Sequence, residues 1–159
     1  MLVLSNSSPL IYLAKLGRLD LLKTLYKKIF VPEAVLAELK DSTKYPELIL
    51  IEQAIRQKWM VIREVKIHLH MPGLGSGEVA LINMAKEMTP DLILVDDASA
   101  RKIMESFGFN VKGTIYVLLL AYRKKIITKN EARNLIDSLI LAGFRISTEI
   151  YSRIMRELE

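Results

Sequence analysis

The sequence predicts an α/β fold built around a parallel sheet, and three observations support that class. Short apolar runs that indicate buried strands alternate with longer segments whose apolar residues recur at helical spacing. The chain has 159 residues, 51% of them apolar, which is enough for one domain to bury a sizeable core. No internal repeat, linker or low-complexity tract interrupts this alternation.

Short apolar runs are predicted as strands where turn residues or helix starts bound them. In chain order these runs are residues 2–4, 29–31, 59–62, 92–95 and 109–111. The run at 92–95 is followed directly by Asp96 and Asp97. In open α/β sheets, ligands bind at the carboxyl ends of the strands. The two adjacent aspartates are therefore the first candidate site.

Helices are predicted between these runs and throughout the C-terminal part of the chain. Ser8 and Pro9 have the residue types of an N-cap and a first helical position, and Gly17 ends that helix. Residues 128–131 form a capping box, and Ser147 caps the last helix. The other helices are predicted to follow Asp20 and to cover residues 32–40, 47–58, 76–88, 98–107 and 114–125. Residues 41–46 and 63–75 are predicted to be connectors.

Composition excludes several classes of function. The chain has no cysteine, so disulfides, thiolate metal sites and cysteine nucleophiles are excluded. No apolar stretch approaches the roughly 18 residues of a membrane span, and no signal peptide is recognisable, so a cytoplasmic protein without membrane association is expected. The net charge of +5 favours polyanions such as nucleic acid.

Oxygen-bearing side chains follow the predicted strands or begin the next helices. Asn6 lies beyond the first strand, Glu38 on the helix after the second, and Glu78 in the first turn after a glycine-rich loop. If the topology gathers them beside Asp96 and Asp97, the carboxylates repel each other without a cation. Mg²⁺ and Mn²⁺ take oxygen ligands of this kind and support phosphodiester hydrolysis.

Each of these residues also has an ordinary structural interpretation. Asp97 suits the N-cap of the following helix, and Glu78 suits the positive end of a helix dipole. Glu38 fits an exposed helix face, and Asn6 fits a turn. The residues alone leave both interpretations open.

Other features give weaker signals. His68 and His70 alternate on a possible strand, but no third zinc ligand is evident, so a structural or exposed pair is favoured. Residues 73–77 are glycine-rich but lack the Lys-Ser/Thr of a phosphate-binding P-loop. Arg101 and Lys102 follow the aspartates and are predicted to hold a substrate phosphate. The basic run 123–125 is predicted to be a solvated helix end, with a contact to backbone phosphate as the second interpretation.

Motifs spread over nearly the whole chain resemble the PIN domain family in order and spacing. They are SNSSPLIYL at 5–13, VPEAVLAEL at 31–39, GSGEVA at 75–80 and LVDDASAR at 94–101. Gly113-Thr114 and GFRIS at 143–147 are similar to a prokaryotic branch of that family. The resemblance implies a three-layer α/β/α sandwich with a central parallel sheet and extra C-terminal helices. It also implies a single PIN-like domain over residues 1–159, with 114–159 as a mainly helical layer.

The resemblance further implies an endoribonuclease that depends on Mg²⁺ or Mn²⁺. Many relatives are toxins of toxin–antitoxin pairs, similar to the virulence-associated protein C toxins, and such proteins often form homodimers. RNA, an antitoxin protein and a second copy of the chain are thus the implied partners. The implied catalytic acids are Glu38, Glu78, Asp96 and Asp97. The implied metal ligands are Asn6, Glu38, Glu78 and Asp97, of which Asp97 matches the final acid of the family better than Asp96. Supporting roles fall on Asn6, Ser8 and Thr114.

The chain departs from the family pattern at Asn6, where the first acid of the family is expected. An amide offers a carbonyl oxygen to a metal but adds no negative charge and does not act as a base. Two rival interpretations follow from the residues. One is a weakened or inactive PIN domain that binds RNA or a protein, and the other is an α/β protein that binds a small nucleotide.

Overall fold

A computed structural model describes residues 1–41 and 46–159 and contains the parallel sheet that the sequence predicts. The strands lie in the spatial order β3-β2-β1-β4-β5, and every neighbouring pair is parallel. Their bounds are β1 Val3–Ser5, β2 Ile29–Pro32, β3 Met60–Arg63, β4 Leu92–Leu94 and β5 Val111–Lys112. The fold is a three-layer α/β/α sandwich, as predicted.

The strand order places a topological switch at the centre of the sheet. From β1 the chain first builds outward through β2 and β3, and it later returns to the other side of β1 with β4 and β5. The switch lies between β1 and β4, which pair in register from Val3 and Leu92 to Ser5 and Leu94. In doubly wound folds the crevice at the carboxyl end of such a switch is the usual ligand site.

Helices connect the strands and continue to the C-terminus. Their bounds are α1 Ser7–Lys15, α2 Asp20–Tyr26, α3 Glu33–Asp41, α4 Glu47–Arg56, α5 Ser76–Met88, α6 Ala98–Ser106, α7 Thr114–Arg123, α8 Lys129–Leu141 and α9 Thr148–Glu157. Among the described residues, none of these helices combines the length and the apolar character that crossing a membrane requires. The chain divides into two compact units, Met1–Thr114 and Ile115–Glu159. The first unit holds the whole sheet, and the second is helical.

One hydrophobic core cluster of the first unit forms where α5 and α6 cover β1, β4 and β5. Its buried members come from all five elements and from the residue after β4; they are Leu4, Leu81, Ile82, Met84, Ala85, Ile93, Val95, Ala100, Met104 and Val111. The strand residues are apolar without alternation because parallel strands of this class are buried on both faces. This packing fixes β4, and therefore the position of the aspartates that follow it.

Several predicted details need correction. The N-cap of α1 is Asn6, and Ser8 lies inside the helix. Ser8 does not cap because its hydroxyl donates to the carboxylate of Asp96, which is a stronger acceptor than a neutral group. The last strand is Val111–Lys112, since the ladder with β4 begins at Ile93 and Val111. The predicted connector 41–46 falls mostly on residues 42–45, which lie outside the described residues.

The segment between β3 and α5 is an ordered loop, so the strand considered for His68 and His70 is wrong. The buried side chain of Asn83 occupies its backbone groups. Asn83 Oδ1 accepts hydrogen bonds from the amides of His68 and Leu69, at 3.0 and 2.9 Å. Asn83 Nδ2 donates to the carbonyls of Leu69 and Val79, both at 2.8 Å. Because these backbone groups bond to Asn83 of α5, the loop does not join the sheet and lies against the helix.

Replacing Asn83 by alanine is expected to lower the free energy of unfolding by about 3 kcal/mol, because loop amides that now bond to it would lose their partner. Urea unfolding followed by circular dichroism measures the loss. Asn134→Ala, at an exposed position of α8, is the matched control and is expected to change stability by less than about 0.5 kcal/mol. A loss below about 1 kcal/mol for Asn83→Ala would show that the hydrogen bonds of the Asn83 side chain contribute little to the stability of the fold.

Candidate active site

The candidate site lies at the carboxyl edge of the sheet, on the topological switch. Asn6 follows β1, and Asp96 and Asp97 lie just beyond β4. The two strand ends are joined by the amide of Asn6, which donates to the carbonyl of Leu94 at 2.9 Å. The fold thus brings together positions that are about 90 residues apart in the chain, as the sequence predicts.

Asp96 binds other parts of the protein with both of its oxygens. Its Oδ2 accepts hydrogen bonds from Ser8 Oγ and Thr114 Oγ1, and its Oδ1 accepts one from the Thr114 amide, all at 2.7 Å. A Cβ on Gly113 would lie 2.7 Å from Oδ1, so only glycine lets the backbone approach this closely. Asp96 therefore ties the start of α1 to residues 113 and 114. The predicted supporting residues Ser8 and Thr114 serve this carboxylate.

Asp97 is exposed and caps α6. Its Oδ2 accepts a hydrogen bond from the amide of Ala100 at 2.8 Å, which confirms the capping interpretation. Capping does not exclude a second role, since a carboxylate has two oxygens with about four acceptor positions. Of the two adjacent aspartates, Asp97 is the one whose charge raises the pKa of another acid of the site, Glu78.

Glu38 on α3 reaches the N-terminus of α5. Its Oε1 accepts hydrogen bonds from the amide of Gly77 at 2.9 Å and from Ser76 Oγ at 3.2 Å. A Cβ on Gly77 would lie 2.7 and 2.8 Å from the two Glu38 oxygens, so a side chain at this position would displace the carboxylate. The Gly77 amide, which was considered for phosphate binding, is thus occupied by a carboxylate of the protein itself.

The pKa of Glu78 is affected by two other acids of the site. Burial raises the pKa of Glu78 above its ordinary value of 4.5, and the charges of Asp97 and Glu38 raise it further. Both carboxylates therefore lie near enough to Glu78 for their charges to disfavour its ionised form. The structure therefore brings together three of the four predicted catalytic acids around Glu78, while the fourth, Asp96, has its oxygens bonded to Ser8 and Thr114.

Two buried polar atoms near the sheet edge lack a partner. Asn6 is 7% exposed, and its Oδ1 accepts no hydrogen bond from the described part of the chain. Arg101 Nε is buried and likewise has no partner in residues 1–41 and 46–159. The Arg101 guanidinium lies beside Gly113 and hence close to Asp96. Lys102 is exposed on the same helix. A buried carbonyl oxygen without a donor is uncommon and is a natural point for a cation to bind.

The donor set fits a hard divalent cation that keeps part of its water shell. Asn6, Glu38, Glu78 and Asp97 supply only oxygen atoms, and the repulsion among the acids is relieved by positive charge. Within the described ranges, no three Asp, Glu, His or Cys side chains are close enough to share one ion directly. Mg²⁺ usually binds proteins through one or two carboxylates and several waters, so this spacing agrees with such an ion.

Sequence reasoning missed the contacts that position these acids. Gly77, Gly113 and Ser76 matter because they contact Glu38 or Asp96. The available signal is the run of small residues around position 76, which the sequence offers as a possible phosphate loop and as part of the motif GSGEVA. His68 and His70 lie on the loop held by Asn83, and no metal-binding group that includes them occurs among the described residues.

Comparisons with known proteins identify the family and support the fold. A sequence profile described as a PIN domain, DUF3368, matches residues 2–159. The structure is similar to a PilT N-terminus domain protein from the hyperthermophilic archaeon Sulfolobus solfataricus P2, with a TM-score of 0.60 and 15% sequence identity. That match covers 76% of this chain and 93% of the other, and at this identity it supports the fold alone. No curated protein matches the sequence.

Proposed function

Because the chain belongs to the PIN domain family, a nuclease-type fold, we propose that it is an endoribonuclease that hydrolyses RNA phosphodiester bonds with the help of a divalent cation. The observation that carries the proposal is the position of Asn6 and Asp97 at the joined ends of β1 and β4, with Glu78 near enough to Asp97 and Glu38 for their charges to raise its pKa. Carboxylates that repel one another are costly to hold together, and a bound cation relieves that cost. PIN domains are generally nucleases that depend on divalent metal ions, which agrees with this arrangement.

The side chains of the site have different roles because their chemistry differs. Asn6, Glu38, Glu78 and Asp97 would hold Mg²⁺ or Mn²⁺, which would lower the pKa of a water molecule and offset charge on the leaving oxygen. Burial and the charges of Asp97 and Glu38 raise the pKa of Glu78 in the metal-free protein, and a bound cation would offset this rise and keep Glu78 ionised as a ligand. Arg101, whose guanidinium lies beside Gly113, and the exposed Lys102 supply the positive charge that holds the phosphate against the acids.

The test is cleavage of a labelled single-stranded RNA by the purified protein with Mn²⁺ or Mg²⁺. Cleavage is expected with either ion, and EDTA is expected to abolish it. Asp97→Asn is expected to remove it as well, whereas Asp41→Asn at an exposed position of α3 is expected to retain it. Cleavage that continues in EDTA and in Asp97→Asn would refute the mechanism.

A second candidate function rests on Asn6. With an amide at this position the site has one charge fewer than the family pattern, and a PIN domain weakened in this way binds RNA without cutting it. Binding that falls steeply with salt, with no product under any divalent ion, would favour this alternative. A toxin role, an antitoxin partner and a homodimer remain predictions, and a short upstream reading frame for a DNA-binding protein would support the first two.

The raised pKa of Glu78 predicts how stability changes with pH in the metal-free protein. The unfolded chain ionises Glu78 near the ordinary value of 4.5, but the folded chain retains the proton to higher pH. The unfolded state therefore gains more from ionisation, and the contribution of Glu78 to stability falls as the pH rises from 4.5 through the raised pKa. Glu78→Gln is expected to remove this fall and to raise the melting temperature at neutral pH in EDTA. A variant that melts below the unmodified protein at neutral pH would contradict the sign.

A further inference from the structure

A groove of about 470 Å³ lies beside the acidic cluster and has a mixed lining. Its walls come from the start of α3, the loop after β3 and the first turns of α5, with apolar contacts such as Pro32, Leu74 and Val79. Polar groups are supplied by Glu33, Glu64 and His70, all of which are exposed. This volume falls in the range of pockets that bind small ligands, roughly 300–1,000 Å³, and nothing in the proposed chemistry uses it.

The groove and the acidic cluster share the first turn of α5. Ser76 lines the groove, and its hydroxyl also donates to Glu38 Oε1 at 3.2 Å. Glu78 belongs to the cluster, and the next residue, Val79, belongs to the groove. A polymer bound with one phosphate at the cluster therefore has a neighbouring unit next to the groove.

The negative charge of the groove determines which part of an RNA strand binds in it. Carboxylates at Glu33 and Glu64 repel phosphate, so the backbone stays outside and a neutral base is the part that fits. Apolar walls suit the flat faces of a base, and RNA-binding proteins read unstacked bases along their Watson–Crick edges. A carboxylate accepts only, so it selects an edge that presents donors.

We propose that this groove binds one unpaired guanine of the RNA next to the cleaved phosphate, and this inference rests on the proposed function. Guanine presents N1–H and N2–H₂ side by side, which donate two parallel hydrogen bonds to one carboxylate. Uracil presents a single N–H between two carbonyls, and these carbonyls face the negative charge unfavourably. His70, which lines the groove from the same loop as Glu64, has a ring N–H that guanine O6 accepts. Glu33, Glu64 and His70 are thus specificity-determining residues.

The experiment measures binding separately from cleavage. Fluorescence anisotropy of labelled hexanucleotides with one guanine, one inosine or only uridines is recorded on the Asp97→Asn protein. Inosine lacks only the N2 amino group, so it removes one of the two bonds. The guanine oligonucleotide is expected to bind about 10-fold more tightly than the other two.

Variants assign the preference to the groove. Glu33→Gln and Glu64→Gln are exposed changes that keep size, and the double variant is expected to abolish the preference for guanine. Ala34→Phe, which fills the groove without changing its charge, is expected to do the same. Glu105→Gln removes an equal charge from an exposed position of α6 outside the groove and is expected to retain the preference.

The outcomes separate this inference from the proposed function. Equal affinities for guanine and inosine, or a preference that persists in the double variant, would overturn the guanine site. Binding of a tetralysine peptide that depends on Glu33 and Glu64, without any guanine preference, would also overturn it and identify a docking site for a basic protein segment. A guanine preference in a protein that never cleaves RNA supports the groove and refutes the nuclease. RNA cleavage without a preference for guanine would support the nuclease and refute the guanine site.

Discussion

Replacing Asp97 by asparagine is expected to lower RNA cleavage by about 100-fold or more and to leave the free energy of unfolding within about 0.5 kcal/mol. Asparagine is as good an N-cap as aspartate, so the hydrogen bond from the Ala100 amide is retained. The charge that Asp97 places beside Glu78 is lost, and with it an acid of the site. The initial rate of cleavage and urea unfolding measure the two effects.

The adjacent residue is expected to behave in the opposite way. Asp96→Ala removes the acceptor of three hydrogen bonds, from Ser8 Oγ and from the amide and hydroxyl of Thr114. Because Thr114 is fully buried, its amide would be left without a partner, and the expected loss is about 3 kcal/mol in the free energy of unfolding. Activity should fall in parallel with the folded fraction and recover on cooling. If Asp96→Ala were as stable as Asp97→Asn, the division of roles between the two aspartates would be wrong.

This division shows where sequence reasoning reaches its limit. The apolar run before Asp96 predicts a buried parallel strand, and the position of the aspartates at its carboxyl end follows from that alone. The identity of the residue that contacts each aspartate does not follow, because Ser8 is 88 residues away and Thr114 is 18 residues away. Local pattern specifies the strand, but the partners depend on how α1 and Thr114 pack against it.

The same reasoning applies to Glu38 and to the loop after β3. The helical spacing around Glu38 indicates a half-exposed face, and the bond to the Gly77 amide, 39 residues away, is not visible in that spacing. The loop contains alternating residues that resemble a strand, yet the single buried amide of Asn83 satisfies its backbone instead. In the loop, the four hydrogen bonds of Asn83 outweigh a local strand preference of about a few tenths of a kcal/mol per residue.

Asn6→Asp is expected to turn the proposed metal ligand that attracts a cation least into the one that attracts it most. Asn6 Oδ1 is buried and accepts no hydrogen bond within the described residues, so a carboxylate there would bring its charge to a place where water is scarce. In EDTA the new charge adds to the repulsion around Glu78, raises the pKa of Glu78 further and lowers the melting temperature. With Mn²⁺ the sign reverses, because a charged carboxylate attracts the ion more strongly than the neutral amide oxygen does.

The expected results of Asn6→Asp are at least about 10-fold tighter Mn²⁺ binding by calorimetry and faster RNA cleavage. Asn6→Ala is the matched control, since it removes the oxygen without adding charge and should weaken Mn²⁺ binding. The comparison of melting temperatures with and without Mn²⁺ does not depend on turnover, so it reports on the site even if the natural protein only binds RNA. A protein in which aspartate lowers the melting temperature equally with and without Mn²⁺ would place the metal away from Asn6. A larger Mn²⁺ effect on the melting temperature of the aspartate variant would mean that residue 6 contacts the ion and that the natural chain binds it with one charge fewer.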